Sequence, residues 1–233
     1  MNKYQHIKEE AYRANMELPQ LGLVKFTFGN ASVADRELAV FAIKPSGVLY
    51  EELGPDKMVI VDFNGHVVEG ELRPSSDTKT HAVLYSEWKN IQAIVHTHSL
   101  YATAWAQANR NIPIYGTTHA DYHCDEISCS PPMDDNLITG DYEQQTGWQI
   151  IQHFKDCQLN YEEVEMVLLG SHGPFSWGSS GSKAVHNSAV LEYIAHLAFL
   201  TEQINAEAPT LKDSLIKKHF QRKHGPDSYY GQP

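Results

Sequence analysis

The apolar positions of the first twenty residues recur at helical spacing: Tyr4, Ile7, Ala11, Ala14 and Leu18 fall on one face. Pro19 closes that pattern, so a helix is predicted up to it. From Leu23 the period drops to two, and the alternation through Phe28 predicts a strand ending at Gly29-Asn30. Val40 to Ile43 reads as another strand, closed by Lys44-Pro45-Ser46-Gly47. Met58 to Asp62 and His66 to Glu69 flank Asn64-Gly65, a dipeptide that tolerates the positive φ of a hairpin turn. Ser75-Ser76-Asp77 offers N-capping side chains to a helix predicted through Trp88. Further along come an apolar strand over Ile91 to His98, a short helix over Tyr101 to Ala108 and a helix over Asp141 to Phe154. A buried strand (Val164 to Leu169), a long helix (Lys183 to Ile204) and a final helix at about Leu211 to Arg222 complete the series.

Strands and helices alternate with no internal repeat or low-complexity tract, which predicts one domain over residues 1–233. The expected architecture is three-layer α/β/α, its central sheet mixed or mainly antiparallel because early connections are hairpin-like. An apolar fraction of 42% supports a real core. No apolar run approaches the roughly 18–20 residues of a membrane span. The formal charge of -11 opposes binding to nucleic acid or an anionic membrane. The charged N-terminus predicts no export signal, and Cys124, Cys129 and Cys157 lack a disulfide or CxxC spacing. A cytoplasmic globular protein is expected.

Histidine changes the picture, with 13 against 18 Lys+Arg. His96 and His98 stand at i and i+2 near the end of a predicted strand, a spacing that turns both rings to one face. His172 follows another strand, in Leu168-Leu169-Gly170-Ser171-His172. Three imidazoles at strand ends match the ligand type and open coordination of a catalytic zinc site. Asp77, at a helix start, is the leading candidate for a fourth ligand.

Several short motifs occur in one order: Gly29-Asn30, Lys44-Pro45-Ser46-Gly47, Arg73-Pro74-Ser75-Ser76-Asp77, His96-Thr97-His98, Gly116-Thr117-Thr118-His119-Ala120-Asp121 and Ser171-His172-Gly173-Pro174. A last helix containing His219 and the tail Tyr229-Tyr230-Gly231-Gln232 follow. This ordered set resembles the class II aldolase/adducin-like family over essentially the whole chain, and within it the pentulose-phosphate 4-epimerases. The resemblance implies one divalent metal per subunit, zinc in the usual case, held by His96, His98 and His172 with Asp77 completing or supporting the site. It implies phosphate binding by Gly29, Asn30, Lys44, Ser46, Gly47, Ser75 and Ser76. It also implies a homotetramer in which Asp121 and Tyr230 form an acid/base pair contributed by the neighbouring subunit, with His219 as a further catalytic residue. The tail at about 223–233 then completes a neighbouring active site.

The implied reaction inverts C4 of a ketopentose phosphate, L-ribulose 5-phosphate. That hydrogen is not alpha to the C2 ketone, so direct deprotonation has no resonance support. No GxGxxG follows a strand to hold a nicotinamide cofactor. Cleavage and re-formation of C3–C4 remain, requiring a base for the C4 hydroxyl and an acid on the opposite face. Related aldolases carry Glu where this chain has Asp77, and the shorter side chain favours an epimerase. Two alternatives stand beside it: an aldolase that releases the aldehyde, and a non-catalytic adducin-like interaction module. The basic residues Lys217, Lys218, Arg222 and Lys223 are expected to form a solvated helix face.

Overall fold

A computed structural model describes residues 2–225 and Ser228. Its centre is an eight-stranded sheet of order β4-β3-β2-β1-β5-β8-β7-β6. The strands are β1 (Asn30–Asp35), β2 (Val40–Ile43), β3 (Val59–Asp62), β4 (Val67–Glu69), β5 (Ala93–His96), β6 (Cys129–Ser130), β7 (Met166–Leu169) and β8 (Gly173–Gly178). Every pairing is antiparallel except β6 with β7, which makes the sheet mixed, as the hairpin connections imply.

Alternation along β1 and β5 sends side chains to two cores. Ala31, Val33, Ala93 and Val95 face α1 (Gln5–Gln20) and the start of α7 (Gly181–Ile204). Phe41, Ile94, Phe175 and Trp177 face α2 (Thr78–Glu87) and α6 (Tyr142–Asp156). A third cluster packs α3 (Leu100–Gln107) against α7 and the β7 residues Met166 and Leu168. The layers are therefore α/β/α. Shorter helices α4 (Thr117–Ala120) and α5 (Asp135–Ile138) sit in connections, and α8 (Asp213–His224) ends the described fold. No helix among the described residues is long and apolar enough to cross a membrane.

The apolar face of α1 is buried as its spacing predicts, with Ala11 and Leu18 fully enclosed. Its Pro19 lies inside the last turn rather than beyond it. Two strand expectations need correction. Leu23 to Phe28 is not a strand: Phe26 takes φ 55°, Phe28 N–H bonds Lys25 O, and both phenylalanines are exposed. The strand begins at Asn30 instead. The segment Gly173-Pro174-Phe175-Ser176-Trp177-Gly178 forms β8, wholly buried between β5 and β7. Its glycine termini and unalternating composition gave no period-two signal.

Candidate active site

The sheet's middle strands end at one cavity of about 470 Å³. β5 delivers His96 at its last residue, and the chain then leaves the sheet so that His98 arrives from the following loop. The tight β7–β8 turn, where Ser171 takes φ 61° and His172 N–H bonds Leu169 O, folds His172 back over His96. Ring centroids lie 4.9 Å apart for His96–His98, 4.8 Å for His96–His172 and 5.3 Å for His98–His172. One ring nitrogen from each falls within 4.8 Å of the other two.

The proton arrangement suits a cation. His96 Nδ1 donates to Pro174 O at 2.9 Å, leaving the Nε2 lone pair directed into the cavity. That Nε2 stands 3.2 Å from His98 Nε2. Two nitrogens bound to one tetrahedral zinc at about 2.0–2.1 Å stand roughly 3.3–3.4 Å apart. Burial, followed by the neighbouring imidazoles, pushes His172 down to about 3 and lowers His98 as well, so both rings are neutral at neutral pH. The donor set therefore fits a divalent cation.

Asp77 sits at the first turn of α2, in the same cavity. Its Oδ2 accepts from Asn30 Nδ2 at 2.6 Å and from Ser75 Oγ at 3.4 Å. Burial works to raise its pKa, but His96, His81, His172 and the Asn30 amide outweigh that and hold the carboxyl below its usual range. It makes no side-chain capping bond, contrary to the expectation for this position, because Asn30 has taken its carboxylate. Nor does it belong to the trio of mutually close ring nitrogens. Its charge nonetheless acts on His96 and His172.

In the same cavity, two loops meet. Ser46 N–H bonds Arg73 O, Ser75 N–H bonds Lys44 O, and Pro45 bridges Pro74. This pins Lys44, Ser46, Gly47, Ser75 and Ser76 along one wall, beside the N-terminus of α2. Gly29, at φ 74°, passes so close to β5 that a Cβ would stand 3.0 Å from His96 O. Gly47, at φ 71°, has open space where its side chain would be. Lys44 is 1% exposed, and its ammonium meets only Thr27 O and Pro45 O at 3.4 Å and the Tyr50 ring, with no carboxylate among the described residues. Burial pushes it down to about 8. A buried cation and a helix N-terminus both favour negative charge.

All residues expected to hold metal or phosphate line this one cavity. Asp121, expected in acid/base chemistry, does not. Asp121, at the end of α4, lies outside it and is bound by α8: Arg222 donates from Nε at 3.0 Å and Nη2 at 2.7 Å, and His219 Nδ1 lies at 3.0 Å. Burial pushes the Asp121 pKa upward, but Arg222 and His219 override it and the carboxyl lies below its usual range. Arg222 and Lys223 are thus engaged with Asp121, correcting the expectation of a wholly solvated basic face. Tyr230 lies outside the described residues. Tyr142, Glu143, Thr27 and Phe28 also line the cavity and went unnoticed in the sequence. A carboxylate in the first turn of α6 was the legible signal for Glu143; the exposed Phe28, 6.4 Å from His98, had none once Leu23 to Phe28 was read as a strand.

Known proteins share this architecture. Residues 9–199 match the family described as Class II Aldolase and Adducin N-terminal domain. An L-ribulose-5-phosphate 4-epimerase, UlaF, from Salmonella paratyphi B is 46% identical over 228 residues, covering 98% of this chain and 99% of that protein. Among solved structures, an L-fuculose 1-phosphate aldolase superposes with TM-score 0.76 at 27% identity, over 93% of this chain and 95% of the other. The L-fuculose 1-phosphate aldolase of Glaciozyma antarctica shares the fold with the same TM-score, 0.76, at 16% identity, over 94% of this chain and 82% of the other.

Proposed function

Since the chain belongs to the Class II Aldolase and Adducin N-terminal domain family, we propose that it is an epimerase that interconverts L-ribulose 5-phosphate and D-xylulose 5-phosphate. One observation carries the chemistry: three convergent imidazoles line a single cavity together with a buried lysine and the serines of a helix N-terminus. A sugar phosphate laid across it places its carbonyl end at the rings and its phosphate at Lys44, Ser46, Ser75 and Ser76. The ligand expected at the rings is one divalent cation, zinc for preference, held by His96, His98 and His172 with Asp77 beside them. When bound, it supplies Lewis-acid stabilisation of charge on the substrate's carbonyl-end oxygens.

The protein's own groups do the rest. A base takes the C4 hydroxyl proton as C3–C4 breaks, leaving an enediolate fragment and glycolaldehyde phosphate. Lys44 and the serines keep the phosphate tethered while the aldehyde rotates. An acid on the opposite face returns a proton to the C4 oxygen after the bond re-forms, now with inverted configuration. For these roles we assign Asp121 and Tyr230 of a neighbouring subunit, with His219 holding the Asp121 carboxylate. The assignment is supported by the placement of Asp121 outside its own chain's cavity and its fixed pairing with α8. It entails a homotetramer with shared sites, completed by the tail of one chain in the cavity of the next. A cytoplasmic setting suits the free thiols of Cys124, Cys129 and Cys157.

Product analysis tests the reaction. Incubation of the metal-loaded protein with L-ribulose 5-phosphate yields D-xylulose 5-phosphate as the sole accumulating product, identified by NMR. Steady release of glycolaldehyde phosphate would make it an aldolase instead.

A further inference from the structure

Beneath the cavity floor lies a polar chain that the reaction does not account for. Asp77 and His81 are one helical turn apart on α2, with His81 N–H bonded to Asp77 O at 3.0 Å. Four helical residues rise about 6 Å, close to the roughly 6.6 Å of two strand residues. Against them, β1 presents Asn30 and Ser32, two residues apart and on one face. The spacings match as two rungs: Asn30 bonds Asp77 at 2.6 Å, and Ser32 Oγ meets His81 Nδ1 at 2.7 Å. Ser32 Oγ also meets Tyr85 OH at 2.8 Å. Ser32, His81 and Tyr85 are each 0% exposed.

Their protons have one consistent order. The Tyr85 hydroxyl is fully buried and meets Ser32 Oγ, so its hydrogen goes to that oxygen. Ser32 must then turn its own hydrogen to His81 Nδ1, which makes Nδ1 the acceptor and puts the ring hydrogen on Nε2. That Nε2 is buried and has no partner among the described residues. A buried donor demands an acceptor. The strongest one near it is the Asp77 carboxylate, whose charge acts on this ring.

We propose that His81 is a positioning residue: fixed as its Nε2–H tautomer by Tyr85 and Ser32, it holds the Asp77 carboxylate through one bridging water. Asn30 fixes one carboxylate oxygen, and His81 fixes the orientation from below, so that Asp77 meets the cation in a single pose. Such outer hydrogen bonds are worth about 10–100-fold in metal affinity. The inference rests on the reading of the cavity as a metal site, and its test separates the two.

Zn²⁺ affinity is measured by chelator competition, without substrate, for the wild type, His81→Gln and His81→Phe. The amide of Gln reaches where Nε2 does and keeps a donor; Phe keeps a ring and loses it. The expected result is Zn²⁺ binding weakened about 10–100-fold in His81→Phe, recovered in large part in His81→Gln, with KM for the sugar phosphate little changed. Equal affinity in all three folded proteins, or equal loss in both variants, would overturn the role. Because His81→Phe can fail to fold, ¹⁵N NMR of the wild-type imidazoles tests the relay independently: Nε2–H is expected, and Nδ1–H contradicts it. A wild type that binds no cation refutes the metal reading, while the spectrum still decides the tautomer.

Discussion

The strand-end cavity and the α4–α8 junction both concentrate histidine, acid and base, yet their charges are balanced in opposite ways. At the junction Asp121 is saturated by its own chain, with two bonds from Arg222, one contact from His219 and its backbone carbonyl meeting His224 Nε2 at 3.0 Å. In the cavity the groups are left waiting. His98 and His172 are held neutral, and among the described residues Lys44 is buried without a carboxylate and Asn30 Oδ1 has no partner. A cluster that satisfies itself stabilises a fold or presents a fixed group to another chain. One that leaves donors and cations uncompensated has been shaped for a ligand.

Removing a ligand residue breaks the contrast most severely. His96→Asn is expected to lower bound metal below one equivalent and kcat on the order of 10²–10⁴-fold, the several kcal/mol that a metal's charge stabilisation provides. Metal analysis and steady-state kinetics on the same preparation check it. Next comes the division of labour between the regions. Asp121→Asn and His98→Asn chains, each inactive alone, should regain activity in mixed oligomers, since some cavities then pair an intact metal trio with an intact acid/base cluster. Verified hybrids without recovery would place both regions in service of one chain.

Lys44→Met should raise KM for the sugar phosphate on the order of 10–100-fold while metal content stays at one equivalent. The lysine also predicts a proton signal. Burial lowers its value to about 8, and a bound phosphate draws it back up. Phosphate-ester binding at about pH 8 should therefore take up protons, seen as a buffer-dependent heat by calorimetry, and the variant should lose that uptake. The smallest effect belongs to the junction. Because the Asp121 carboxyl is depressed in the folded chain, its stabilisation is fully present above the ordinary aspartate range near pH 4. It is lost as pH falls through the lowered value, and Asp121→Asn should flatten this part of the acid-unfolding curve.

The sequence made the two regions unequally legible, and the reason is physical. The cavity is built at strand ends and helix starts, where His-x-His, Ser-Ser-Asp and Lys-Pro-Ser-Gly are local signals. Their convergence depended on the order of strands, which the motifs' resemblance to a family implied and periodicity did not. β8, which closes the site against His96, was invisible because a strand buried on both faces shows no alternation. The segment before β1 misled in the other direction: Leu23 to Phe28 alternates, yet Phe26 and Phe28 lie exposed, and Phe28 lines the cavity. The cap expected of Asp77 failed because a tertiary partner, Asn30, outcompeted local capping. The pairing of Asp121 with Arg222 joins residues about a hundred positions apart, and no local pattern announces such a contact.

A stepwise return of Zn²⁺ to the metal-stripped protein, with conversion of L-ribulose 5-phosphate to D-xylulose 5-phosphate followed at each addition, tests the central claim most directly. Epimerase activity is predicted to climb linearly and to break at one equivalent per chain. Full activity before any metal is added, or a rise with no break at one equivalent, would contradict the three-imidazole site.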